Sequence, residues 1–123
     1  MKTVTIDGVE YNLTPIEKQS KPIILEQHLE FEVHPEDLGQ YSWNYAKIVC
    51  AELGDGWRLP TIEELHFMRL NSSVIGNFAA AHYWSYSEYN DNLAWSENFS
   101  NGYQNFNYKR NIFHVRAVRD LTI

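Results

Sequence analysis

Apolar and polar positions alternate at the start of the chain, with Val4 and Ile6 on one side of Asp7-Gly8 and Val9 and Tyr11 on the other. Asp-Gly between alternating segments is the signal of a two-residue hairpin. Closing that turn sets Ile6 opposite Val9 and Val4 opposite Tyr11, so one face is apolar. Residues 14–40 are harder to read, because Pro15, Pro22 and Pro35 interrupt them. Within them "IILEQHLEFEV" fits a strand or a short helix, and periodicity does not separate the two.

From Ser42 the period becomes helical. Trp43, Ala46, Val49, Cys50 and Leu53 recur on one stripe, Ser42 stands at the N-cap and Gly54 just past the end, predicting a helix over 42–53. A second helix is predicted over 61–70, where "TIEE" after Pro60 reads as a capping box from Thr61 to Glu64. Ile62, Leu65, Phe67, Met68 and Leu70 supply its apolar positions. Between the helices, "GDGWRLP" reads as a tight connection that brings a helix end into the core. Beyond residue 82 the helical period is lost and short aromatic strands follow. The first and last strands are expected to be neighbours in one sheet. The order predicts an α+β fold.

Asn101-Gly102 predicts a second hairpin with a two-residue loop. That loop pairs Ser100 with Tyr103, Asn98 with Asn105, Ser96 with Asn107, and Trp95 with Tyr108. Trp95, Phe99, Phe106 and Tyr108 then share a face that reads as a core wall. Ser96, Asn98, Tyr103, Asn105 and Asn107 share the other. Seven of the eleven asparagines lie between positions 90 and 111, although asparagine is a poor strand former and commoner in turns. Amides that donate and accept, mixed with Tyr and Ser, make an adaptable recognition surface.

Composition narrows the choices. At 123 residues, 44% hydrophobic and 15% aromatic, the chain is expected to form one domain over 1–123. The net charge is −6 and its ten Lys and Arg are scattered, so no basic stripe exists to neutralise phosphates and nucleic acid is not an expected partner. The N-terminus lacks the apolar core of a signal peptide, and no segment has the roughly 18 apolar residues of a membrane span. We therefore expect synthesis in the cytoplasm, with any delivery to a phage particle or the cell surface by a non-classical route. The lone Cys50 excludes an internal disulfide and a cysteine metal cluster.

Three blocks then bear on identity: "SWNYAKIVCAELGDGWRLPTIEEL", "YWSYSEYNDNLAWSENFSNG" and "HVRAVRDL". In that order they resemble the Lcl C-terminal domain family over about residues 42–120, with residues 1–40 mostly outside the match. The resemblance implies a C-type-lectin-like fold, in which N- and C-terminal strands pair beside two helices and a loop-rich second sheet displays the ligand site. Relatives of that fold include variable proteins of diversity-generating retroelements, whose asparagine-rich C-terminal regions are rewritten by mutagenesis. The cluster at 90–111, after "YWS" and before "VRAVR", looks like such a region.

Other chemistries find little support. Calcium-dependent lectins of this fold hold the metal with a proline-containing loop, but every proline here lies at or before Pro60. Formylglycine-generating enzymes need a cysteine pair, and this chain has only Cys50. The five histidines lack metal-ligand spacing. Glu88, Asp91 and Glu97 read as loop charges, and Arg58, Arg116 and Arg119 as structural groups that stack on Trp and bind carbonyls. The expectation is a non-enzymatic module with no cofactor and no metal. Its candidate ligand-binding residues are Tyr86, Asn90, Asn92, Ser96, Asn98, Tyr103, Asn105, Asn107 and Asn111. The partner is expected to be a protein or glycan, and a homo-oligomer remains open. An assembly domain of a phage or prophage particle is the alternative.

Overall fold

A computed structural model describes residues 3–6, 9–12 and 30–121. Nine strands and three helices occur among them, in two sheets. The first sheet has the order β2 (Val9–Asn12), β1 (Thr3–Ile6), β3 (Glu30–Val33), β9 (Val118–Asp120). β1 and β2 pair with Val4 opposite Tyr11 and Ile6 opposite Val9, the register a two-residue turn demands. Asp7 and Gly8 themselves lie outside the described residues, as does most of the ambiguous stretch. Its last part is a strand, and it changes one expectation. β3 stands between β1 and β9, parallel to β1 and antiparallel to β9, so the terminal strands share a sheet without being neighbours.

The second sheet runs β4 (Gln40–Tyr41), β8 (Phe113–His114), β5 (His82–Glu88), β6 (Leu93–Asn98), β7 (Gln104–Tyr108). Tyr83 and Trp84 are adjacent in β5 and must point to opposite faces. Tyr83 joins a buried cluster with Leu65 and Met68 of α2 (Ile62–Leu70) and with Phe31, Val33 and Val118 of the first sheet. Trp84 joins another with Trp43, Ala46 and Cys50 of α1 (Trp43–Glu52), together with Leu59, Ala94, Val115 and Ala117. The sheet is thus covered on one face by α2 and on the other by α1.

The helices form where the pattern places them. Ser42 occupies the N-cap of α1 in extended conformation, without a side-chain cap bond. Gly54 follows the C-cap at φ +77°, where its N–H donates to the Ala51 carbonyl. At α2 the capping box is complete: Thr61 Oγ1 accepts from Glu64 N, and Glu64 Oε1 accepts from Thr61 N. Arg58 adds a two-pronged contact to Glu64 at 2.8 and 3.0 Å. Leu70, expected on the apolar face, is 60% exposed, because the chain turns at once into the short helix α3 (Ser72–Ile75).

The "GDGWRLP" connection owes its shape to three successive left-handed residues, Gly54, Asp55 and Gly56. It delivers Arg58 to β9, where Arg58 and Val118 exchange backbone hydrogen bonds of 2.7 and 2.8 Å. The arginines are structural. Arg119 lies over Trp57 and binds Glu32. Arg116, fully buried, donates to the carbonyls of His34, Gly76 and Asn77 and lies over the Phe78 ring.

Candidate functional site

The β6–β7 hairpin carries most of the candidate residues, and its register differs from the expected one. Trp95 pairs with Phe106, Ser96 with Asn105 and Glu97 with Gln104, two residues away from the two-residue-loop register. Phe99 explains the shift. Its N–H donates to the Ala81 carbonyl, and its ring packs against Phe78 and Tyr83 at 4.6 and 4.7 Å. The turn consequently spans the residues between Asn98 and Tyr103, with Asn98 N donating to Tyr103 O. A slip of two keeps every side chain on its expected face.

What changes is which face is covered. α2 reaches β6 through Arg69 and His66, both bonded to Glu97. Beyond that contact Trp95, half-buried, belongs to neither buried cluster. Phe106 is 42% and Tyr108 52% exposed. Trp95 and Phe106 meet edge to face, and Phe106 stacks on Tyr89 with ring centroids 4.3 Å apart. The expected core wall is therefore an aromatic group at the surface, and of its members only Phe99 packs into the core.

On the opposite face, Ser96 is fully buried and its Oγ donates to Asn107 Oδ1 at 2.8 Å. Asn98 Nδ2 lies 3.4 Å from His82 Nε2, and Ser96 Oγ lies 3.5 Å from His82 Nδ1. His82 stacks on Phe113 at 4.6 Å, and burial lowers its pKa from the usual histidine value. These four polar side chains form a connected strip whose members satisfy one another. His82 was not among the candidates. Its place opposite Asn98 in the β5–β6 ladder depends on tertiary pairing that local pattern does not contain.

The remaining candidates fall into distinct settings. Asn90 Oδ1 accepts from the N–H groups of Asn92 and Leu93, and Asn98 Oδ1 accepts from Ser100 N and Oγ. Asn101 Oδ1 likewise accepts from Tyr103 N. These amides build turns. Tyr103, 69% exposed, and the exposed Asn105 face outward beside the polar strip. Asn92 lies at the other end of the hairpin in a cavity of about 590 Å³, lined with Ser42, Asn44, Asp91, Tyr108, Lys109 and Arg110. Asn111, half-buried, closes a turn by donating its N–H to Tyr108 O. Tyr86 is exposed at the end of β5, with its ring 6.4 Å from Trp43.

The hairpin has a buried anchor. Glu97 is fully buried and accepts from Arg69 Nε at 2.5 Å and Gln104 Nε2 at 2.8 Å, with His66 Nδ1 3.1 Å away. Gly102, at φ +81°, lies over the same arginine: a Cβ there would come within 2.8 Å of Arg69 Cζ. Of the other acidic residues of the region, Glu88 is engaged elsewhere through its side chain and Asp91 through its backbone carbonyl. Glu88 pairs with Lys109, whose Nζ also donates to the Asp91 carbonyl. Among the described residues no group of three or more metal-ligating side chains occurs, and no helix is long and apolar enough to cross a membrane.

The sequence model of the Lcl C-terminal domain family matches residues 19–119. The chain belongs to this family. The match begins well before residue 42, so much of the N-terminal stretch that looked unrelated falls within the family's domain. No curated protein matches the chain. Membership in the Lcl C-terminal domain family is consistent with a binding or adhesin-type module.

Proposed function

We propose that this domain is a non-enzymatic recognition module that meets a protein or glycan ligand with the tip and polar face of its β6–β7 hairpin. The observation that carries the reading is a division of labour among the amides. Asn90, Asn98 and Asn101 are consumed in turns, whereas Tyr103 and Asn105 present their side chains outward from a hairpin anchored at Glu97. Exposed tyrosine and amide side chains on a rigid support combine large contact area with low ordering cost.

The finer reading is a C-type-lectin-like fold with a variable-type surface. Terminal strands in one sheet, the two longer helices α1 and α2, and a second sheet bearing the loops support it. Packing between subunits of a phage particle is the second reading, favoured by the surface aromatic group of Tyr89, Trp95 and Phe106.

Screening the folded domain on arrays of glycans and cell-surface proteins tests the proposal. A saturable hit that competes with an antibody fragment against the hairpin tip supports recognition. Turnover of an arrayed compound, or a hit indifferent to that fragment, contradicts it.

A further inference from the structure

We propose that β7 is a docking edge for the same strand of a second copy of this chain, paired antiparallel in a register centred on Phe106. β7 ends the second sheet. The phase of its hydrogen bonds is fixed at both ends, because Asn98 N donates to Tyr103 O and Lys109 N donates to Asn92 O, each at 2.9 Å. In an antiparallel ladder the residues that bond to the neighbour alternate with those that do not. Asn105 and Asn107 therefore turn their backbone groups toward β6, while Gln104, Phe106 and Tyr108 turn theirs away from it. The Tyr108 carbonyl is taken by Asn111 N. For the outward N–H and C=O groups of Gln104 and Phe106, and for Tyr108 N–H, no partner appears among the described residues.

Edge strands ordinarily carry a guard such as a proline, a lysine or a bulge. "QNFNY" has no proline or charge, and its pairing with β6 is free of bulges. Its side chains also favour a copy of itself over a foreign strand, because Asn-Phe-Asn reads the same in both directions. With Phe106 opposite its counterpart, Asn105 faces Asn107, and Gln104 faces Tyr108, so Tyr108 N–H meets the open Gln104 carbonyl. Lys109 then faces Tyr103 and Arg110 faces Gly102, which keeps cations from opposing one another. Residues 98–111 contain no Asp or Glu, in a chain of net charge −6, so two copies approach here without acidic repulsion. The pairing also brings together two copies of the Tyr89–Phe106 stack, which rests against Trp95 on one side and leaves Tyr89 54% and Phe106 42% exposed.

This pairing does not depend on the recognition reading and is tested without a ligand, by sedimentation of the whole chain and by cross-linking. The expected result is a concentration-dependent dimer that Phe106→Lys converts to monomer, since two lysines would meet at the axis. Directly hydrogen-bonded residues lie about 5.5 Å apart at Cα, inside the range a disulfide spans. Under oxidant, Phe106→Cys should thus form covalent dimer about tenfold faster than Tyr103→Cys, which is at least as exposed but off the axis. Cys50 is buried and stays silent. Tyr108→Pro is a second disrupting variant, because it removes only an outward N–H. Circular dichroism confirms that each variant is folded. A wild-type chain that stays monomeric at all concentrations overturns the pairing, as does equal cross-linking at positions 103 and 106 or a dimer indifferent to Phe106→Lys.

Discussion

Arg69 on α2 and Glu97 in β6 form an ion pair of 2.5 Å in which the carboxylate is fully buried. Removing one partner of a buried pair leaves an uncompensated charge, which costs more than the pair itself contributes. Arg69→Met should therefore lower the unfolding free energy by about 3 kcal/mol, measured by urea denaturation. Adding Glu97→Gln to that variant should recover part of the loss, because a neutral amide needs no cation.

Phe99 and Phe106 give a contrast that checks the hairpin register. Phe99 packs against Phe78 and Tyr83, and its truncation to alanine should cost about 3 kcal/mol. Phe106 is 42% exposed and lies outside both buried clusters, so Phe106→Ala should cost less than about 1.5 kcal/mol. Thermal unfolding at a dilution where the chain is monomeric separates the two. Equal losses would contradict the two-residue slip and the surface position of the aromatic group.

Helices α1 and α2 were legible in the sequence because their signals are local: the Trp43-Ala46-Cys50 stripe, the Thr61–Glu64 capping box and the glycine past α1. The faces of the second hairpin were legible too, since a slip of two preserves parity. Three features were not. The loop length depended on Phe99 finding Tyr83 and Phe78 across the sheet. The cover of the Trp95 face depended on how far α2 reaches. The insertion of β3 between the terminal strands depended on pairing over long sequence separations. Within the candidate site, composition singled out the asparagines but could not separate those bonded to their own turns from those facing solvent.

Alkali should destabilise the fold from about pH 9 upward. Burial pushes the Cys50 thiol from 9.0 to about 12, and burial together with the Asp37 hydrogen bond raises the Tyr83 phenol above its usual 10.0. Both folded-state pKa values are raised, so the unfolded chain loses protons first, and stability present below pH 9 falls as pH rises toward the folded values. Cys50→Ala should remove the part of the decline that begins nearest pH 9 and leave the part that begins near 10. Urea midpoints across pH 7–11 measure this. A flat profile in the unsubstituted protein would contradict the protonated burial of both groups.

The turn-building amides should behave as structural groups. Asn98→Ala and Asn101→Ala each remove side-chain bonds to turn N–H groups and should each cost about 1 kcal/mol. Gly102→Ala should cost at least as much, because it combines a left-handed φ with a clash on Arg69. Thermal melts of the three single variants check the order.

The central claim, that the outward residues of this hairpin exist for recognition, is tested most directly by titrating the ligand found on the arrays against Tyr103→Ala/Asn105→Ala. Both side chains are exposed, so the double variant should keep its melting behaviour within about 1 kcal/mol of the original. Its affinity should fall by about a hundredfold or more, the loss of a hot-spot pair. Undiminished affinity in a folded double variant would contradict the account.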